Sequence, residues 1–437
     1  MTEHFVKIFK RRLQLIKNLN ALKVFKSLEP SKLSNLIALF AAALLFWTSI
    51  TCLLPTLPAY IQDLGATARE VGLVMGCFAI GLLLSRIWLG KLADQRSRKL
   101  VVLIGSLVAG TAPIGYLLFD SLHHLMVIRA FHGISIAAFT TGYNALVVDL
   151  SPPKQKGELI GYMSLTVPIG MAVGPALGGF LQAYTGYKIL FSVSASCGLL
   201  ALLLANQVQE IERNLITQIS QNLDLTPSRS FWQLFLTPAL VIPTAVLLLI
   251  GSVFGTLVTF LPLYIRSLEL DLNAGLFYSA AAIASFTVRF FTGRASDFYG
   301  RGVFISVSLV CYIVSMILLT LGESANIFLL AAVIEGMAGG IIIPIMLALI
   351  VDRCSARERG QVFAFCVSGF DIGVALAGPV LGGLASSLGY RFLFAIASAM
   401  AVTAFLLFTT FSNKNLASSL RFAFGGAADL YTFDQKK

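Results

Sequence analysis

The chain has 437 residues, of which 57% are hydrophobic and only 12% charged, with a net charge of +11. A soluble domain carries about 25% charged residues, so a water-facing globule is excluded and a bilayer becomes the natural solvent. The positive balance calls for no nucleic-acid partner: Lys and Arg concentrate between apolar runs, where they set topology and meet anionic lipid.

Residues 1–34 come first. Phe5, Phe9, Leu13, Ile16 and Leu19 share one helical face with basic residues on the others, which fits a helix lying in the membrane plane; a frayed basic tail is the alternative. The segment lacks the compact apolar core and cleavage site of a signal peptide. Apolar runs of spanning length, roughly 20 residues, follow at 35–59, 69–89, 99–119, 122–148, 157–182 and 187–206. They make 35–206 a first bundle of six helices. A polar linker, 207–236, has no spanning run. The second bundle, 237–411, has runs at 237–263, 274–293, 303–321, 326–350, 359–386 and 389–411, and 412–437 is a tail. These continuous runs are not the alternating strands of a membrane barrel. The fold class is therefore an all-α integral membrane protein with twelve transmembrane helices in two parallel six-helix repeats.

Basic residues orient it. Residues 1–34 hold Lys7, Lys10, Arg11, Arg12, Lys17, Lys23, Lys26 and Lys32, and the even-numbered connections add Lys91, Arg96, Arg98, Lys99, Arg301 and Arg353 among others. The odd-numbered connections hold Arg69, Lys188, Arg266 and Arg391. The positive-inside rule predicts a multi-pass protein of the plasma (inner) membrane with both termini cytoplasmic. Cys52, Cys77, Cys197, Cys311 and Cys366 fall in apolar runs and Cys354 on a connection, with no metal-ligand spacing, so no metal or cofactor is expected.

The chain repeats itself. RIWLGKLAD at 86–94 returns as RFFTGRASD at 289–297, and VDLSPPKQKGE at 148–158 as VDRCSARERGQ at 351–361, both 203 residues on. GPALGG at 174–179 returns as GPVLGG at 378–383, and Pro58 and Tyr60 match Pro262 and Tyr264. Anchors in one order at a near-constant offset mark a six-helix unit duplicated in parallel, related by an axis along the membrane normal.

These motifs resemble those of the major facilitator superfamily. Gly90 to Lys99, with Asp94 and Arg98, resembles its signature loop G-x-L-x-D-R-x-G-R-K, although Ser97 stands in place of the usual Gly and Gln95 in place of Arg. The second copy has Gly293, Asp297, Gly300 and Arg301. Arg129 to Gly133 resembles the R-x-x-x-G motif of the fourth helix, and Gly170, Gly174, Pro175, Gly178 and Gly179 resemble the antiporter motif G-x-x-x-G-P-x-x-G-G of the fifth. The resemblance spans residues 35–411. It implies alternating access by two rocking halves, with the signature loops holding the cytoplasmic mouth shut in the outward-open state, and export by antiport, as in the drug and metabolite:proton antiporter branch. Gly90 and Gly293 would allow close helix approach, Asp94 and Asp297 would face helix N-termini, and Arg98 and Arg301 would bridge the mouth. A role confined to loop geometry is the alternative. The stripe Gly170, Gly174 and Gly178, the kink at Pro175 and the copy Gly378, Pro379 and Gly382 suit tight packing that seals and releases a mouth.

Charges inside spans point to chemistry, because each costs about 2.5–3.5 kcal/mol at a helix centre on insertion scales. Arg86 and Arg289 are near span ends and can snorkel. Arg129, Glu335 and Asp371 lie deeper, Arg129 and Glu335 at corresponding repeat positions. Asp371 is the candidate proton carrier, Glu335 a second carrier or a structural partner, and Arg129 a partner for Asp371 or for an anionic substrate group. His132, with Thr140 and Asn144, extends a polar stripe from Arg129 and is either packing or part of the proton path. Phe46, Trp47, Phe254, Phe260, Phe286 and Phe290 are candidate walls of an apolar cavity. The expected function is secondary active transport, with a small-molecule substrate, a proton and the lipid bilayer as partners and a monomer as the working unit. Proton-coupled export of amphipathic or drug-like molecules is favoured; proton-coupled uptake of a sugar or organic acid is the alternative. No nucleophile elbow, H-E-x-x-H or Walker pattern points to an enzyme.

Overall fold

The computed structural model describes residues 28–152, 156–210, 237–354 and 358–432. Among them the regular elements are helices: α1 (Pro30–Thr51), α2 (Leu57–Asp63), α3 (Ala68–Gln95), α4 (Arg98–Leu118), α5 (Leu122–Leu150), α6 (Lys156–Met163) and α7 (Thr166–Gln207). After the linker come α8 (Pro238–Ser267), α9 (Ala274–Tyr299), α10 (Arg301–Leu321), α11 (Ala325–Asp352), α12 (Arg359–Leu388), α13 (Tyr390–Phe411) and α14 (Leu416–Ala423). The in-plane helix expected within 1–34 and most of the linker lie outside the described residues.

Among the described residues eleven helical stretches are long and apolar enough to span a membrane. One of them, Leu159–Gln207, is two spans joined at Gly186, whose φ of 80° and ψ of 178° only glycine adopts readily. Counting it twice gives the expected twelve. Gly389, between α12 and α13, repeats the turn with φ 79° and ψ 167°, so the duplication holds down to a dihedral angle.

Three boundaries differ from the sequence expectation. The first span breaks after Thr51 and resumes at Leu57, because Pro55 has no N–H and its ring crowds the carbonyl four residues back. Helix α3 runs to Gln95 and α9 to Tyr299, so most of each signature loop is helical; the chain turns only at Arg96–Ser97 and at Gly300, with φ 91°. Ser97 then caps α4 by accepting a hydrogen bond from the Leu100 N–H.

Short connections make successive spans antiparallel. One end of the bundle, here the basic end, carries Lys91, Arg96, Arg98, Lys99, Arg301 and Arg353; the far end carries the α2–α3 and α8–α9 turns. Within the first half α1 packs on α7, α3 and α4 on α5, and α4 on α7; the second half repeats this with α8 on α12, α9 and α10 on α11, and α10 on α13. The halves meet through α3 against α12 and α7 against α9. The tail is folded rather than free: Arg353, with 1% of its side chain exposed, bonds Asp429 at 2.7 Å and the carbonyls of Ala239 and Ser412 at 2.8 and 2.7 Å.

Candidate functional site

The glycine-proline motifs meet at the far end, where they close the interface between the halves. A Cβ on Gly72 of α3 would stand 2.1 Å from the Gly378 carbonyl oxygen of α12, and one on Gly76 would meet Pro379 at 2.7 Å. Across the other seam, a Cβ on Gly179 would meet Asn273 Oδ1 at 2.0 Å, and one on Gly275 the Pro175 carbonyl at 2.1 Å. Ser279 donates to the Ala172 carbonyl at 2.5 Å. Only glycine lets these backbones come so close. The remaining members of the motif, Gly170, Gly174 and Gly178, pack inside the first half against Trp47, Thr51 and Cys52 of α1 and its end. Gly382 faces Ala68 and Arg69.

A polar clamp sits outside this seal. Arg266, near the end of α8, bonds both carboxylate oxygens of Asp63 at 2.7 and 3.1 Å, and Tyr187 donates to Asp63 Oδ2 at 2.5 Å. Gln62 reaches Tyr390 Oη at 3.4 Å, the repeat's counterpart of Arg266 reaching Tyr187 Oη at 3.4 Å. Partial burial pushes the Asp63 carboxyl up, but its bonds to Arg266 and Tyr187 and the Arg266 charge outweigh this and hold it below the usual carboxylate range.

A cavity of about 420 Å³ lies between the halves on the basic side of the seal. Each helix at the seams shows the order: along α3, Gly72 and Gly76 are sealed and Phe78, Leu82 and Arg86 line the cavity; along α12, Asp371 lines it and Gly378 and Pro379 are sealed. Its walls are mainly apolar and aromatic, including Trp47, Ile50, Met171, Phe254, Tyr278, Tyr312 and Phe370. Of the aromatic walls expected from sequence, Trp47 and Phe254 line it. Phe46 instead stacks on Phe139 at 3.8 Å, Phe260 is fully buried in the core and Phe290 is 59% exposed; neither Phe286 nor Phe290 lines the cavity. Phe78, Tyr278, Tyr312 and Phe370 were not legible as walls, because aromatic residues facing lipid, core and cavity share one helical period.

The three deep charges, Arg129, Glu335 and Asp371, all line this cavity. So do Arg86 and Arg289; Arg86 does not run to the interface, as its Nη1 bonds Asp371 Oδ2 at 2.5 Å, an ion pair from one half to the other. Glu335 is buried and makes no hydrogen bond or ion pair among the described residues, with Tyr278 and Tyr312 nearby. The Arg129 guanidinium sits 4.4 Å from the Phe78 ring centre, a cation–π contact, and its Nε has no hydrogen-bond partner among the described residues. His132 is fully buried behind it and does not line the cavity; its Nδ1 is 3.2 Å from Tyr116 Oη. Thr140 turns back to its own helix, donating to the Ile136 carbonyl at 2.7 Å.

The signature loops pair within their own halves. Arg98 pairs with Asp149 and donates to the Ala145 carbonyl at 3.0 Å; Arg301 pairs with Asp352 and lies 3.4 Å from Asp297. Asp149 and Asp352 are repeat equivalents that the sequence reading did not single out. Among the described residues nothing lies within 4 Å of a Cβ built on Gly90 or Gly293, so the expected close approach is not seen there in this conformation. The carboxylate at the N-terminus of α4 is Glu210, which bonds Ser97 Oγ at 2.5 Å and the Arg98 N–H at 2.7 Å.

Two bundles of six spans related by repeat, with a charged cavity on the seam between them, have the architecture of a secondary transporter. The family model described as Major Facilitator Superfamily matches residues 39–321 and 273–427, and the chain belongs to that superfamily. It is 26% identical over 302 residues to the quinolone resistance protein NorA of Staphylococcus aureus (strain MRSA252), covering 66% of this chain and 74% of that one. It is 25% identical over 379 residues to the multidrug resistance protein MdtG of Serratia proteamaculans (strain 568), covering 83% and 90%. Among solved structures it resembles the nucleoside transporter NupG (TM-score 0.72, 15% identity, 85% and 98% covered). It also resembles an inward-facing, unoccupied bacterial homologue of the human lysosomal transporter Spinster (TM-score 0.68, 16% identity, 91% and 97% covered). At such identities these structures speak to the fold alone.

Proposed function

We propose that the chain exports small amphipathic organic molecules in exchange for protons, by rocking of its halves 35–206 and 237–411 in a bacterial plasma membrane. The resistance proteins it is similar to support export, and the basic end is read as cytoplasmic, with both termini there and a monomer as the working unit. The far-end seal then makes this conformation inward-open. The observation that carries the reading is the cavity itself: an apolar, aromatic volume between the halves that holds two carboxyl groups in unlike settings, Glu335 without a partner among the described residues and Asp371 tied to Arg86 of the other half.

Glu335 is the proton carrier in this scheme. A proton on it neutralises a carboxyl facing the substrate's position, and its loss makes the cavity more polar. Asp371 couples charge to movement, because its bond to Arg86 links the halves and is lost when the carboxyl is protonated. The signature loops act as the latch of the opposite state: on closure of the basic end, Arg98, Asp297 and Arg301 exchange partners within a half for partners across it, and Asp94 joins that latch. Inside-out membrane vesicles test the direction. With the vesicle interior acidified, an exporter accumulates an amphipathic dye and loses it when nigericin collapses the gradient; accumulation only in right-side-out vesicles under inward proton flow would mean uptake.

A further inference from the structure

The repeat exposes an imbalance in the cavity. Arg86 on α3 and Arg289 on α9 are equivalents, 203 residues apart. Arg86 is neutralised by Asp371 on α12 of the other half. Matching GPALGG to GPVLGG, 204 residues apart, places Val167 on α7 where Asp371 stands on α12. Arg289 and Val167 both line the cavity, and Arg289 makes no hydrogen bond or ion pair among the described residues. One guanidinium has its carboxylate; its mirror image has a valine. The cavity as a whole holds Arg86, Arg129 and Arg289 against Glu335 and Asp371, so its balance is positive even with both acids ionised.

Building on the exporter reading, we propose that Arg289 receives an anionic group of the substrate, so that the cavity selects organic anions: amphipaths with an aromatic or alkyl body and a carboxylate or sulfonate head. A guanidinium in a partly desolvated wall gains charge-assisted, bidentate hydrogen bonds from a carboxylate that an ester or an ammonium cannot supply. An ammonium head would instead meet uncompensated like charge in surroundings that screen it poorly. The apolar body rests on the Trp47, Phe254 and Phe370 side of the cavity. Val167 leaves Arg289 available for a ligand, which an acid at that position would not.

Equilibrium dialysis on the purified full-length protein tests this with 1-naphthaleneacetate and its methyl ester. The wild type binds the carboxylate more tightly than the ester. Arg289→Gln and Val167→Asp each weaken the carboxylate by roughly tenfold, the effect of losing a charged hydrogen-bond partner, and leave the ester unchanged. Arg289→Lys keeps most of the preference. Unchanged carboxylate binding in both variants overturns the proposal. So does a parallel loss of ester binding, which assigns Arg289 a structural role. Because the readout is binding, a missing proton-driven flux in vesicles refutes the exporter reading separately from this one.

Discussion

At the scale of single residues the cavity turns on a few charges. Their presence was legible: an ionisable group inside an apolar run is conspicuous in any sequence, and Arg129, Glu335 and Asp371 all reach the cavity. Their pairing was not, because a contact between positions 285 residues apart, such as Arg86 with Asp371, leaves no local pattern. The place of Arg86 was not legible for a related reason: nearness to a span end permits snorkelling but does not decide which way the stem points. Replacing Glu335 by Gln is expected to reduce gradient-driven flux in proteoliposomes to the level of empty vesicles while a neutral ligand still binds. Asp371→Asn is expected to abolish the drive as well, and to destabilise the protein, since it strands Arg86. Breaking a buried pair at one partner costs about 3–5 kcal/mol, and the 33% exposure of the Arg86 side chain puts this case at the low end or below. The double variant Arg86→Gln with Asp371→Asn is expected to regain thermal stability in a fluorescence melt but not transport. Recovery of transport in the double variant would remove Asp371 from the coupling scheme.

At the scale of elements the antiporter motif and its copy are the most informative stretches. The small-residue stripe announced close packing, and the structure divides the labour: Gly170, Gly174 and Gly178 tighten the first half, while Pro175, Gly179, Gly378, Pro379 and Gly382 face the opposite half at the far end. Sequence alone did not say which mouth they close, since helix direction at a seam depends on the whole topology. The signature loops were legible as motifs and misread as loops, because their glycines sit inside helices that run on to Gln95 and Tyr299. Gly72→Val is expected to force the seal apart, as its Cβ alone would stand 2.1 Å from a backbone oxygen that cannot move aside. Spin labels on the far-end turns, at 64 and 268, should then report longer distances than in the parent protein, and transport should fall sharply. Unchanged distances would mean that the α3–α12 seam is not what closes this end.

The whole molecule is a two-state object, and the far-end clamp bears on its balance. Asp63, Arg266 and Tyr187 join the halves outside the seal. The Asp63 carboxyl is held below its usual range, so its contribution to the closed state is complete above the ordinary carboxylate range and is lost only as pH falls through the lowered value. Between about pH 5 and about pH 8 the clamp therefore stays ionised, and any pH dependence of transport in that window belongs to other groups. Asp63→Asn is expected to favour the far-end-open state, read as faster labelling of a cavity cysteine introduced at Ile50 by a reagent added from the far side; an unchanged labelling rate would leave the clamp without a role in gating. The architecture itself, twelve spans in two parallel repeats, was readable from run lengths, basic residues and the constant offset. The folded tail around Arg353 was not, because its polar, small-residue composition gives no sign of the buried guanidinium it closes over.

Exchange of substrate for proton is the centre of this account, and one measurement addresses it without vesicles or orientation. Purified protein in weakly buffered detergent solution, near neutral pH, is mixed with a saturating uncharged transported ligand, which adds no charge of its own beside the cavity carboxyl, while a pH indicator is followed. An antiporter whose cavity carboxyl is emptied by substrate releases protons into solution, and Glu335→Gln does not. No release from the wild type, or proton uptake on ligand binding, would contradict the account.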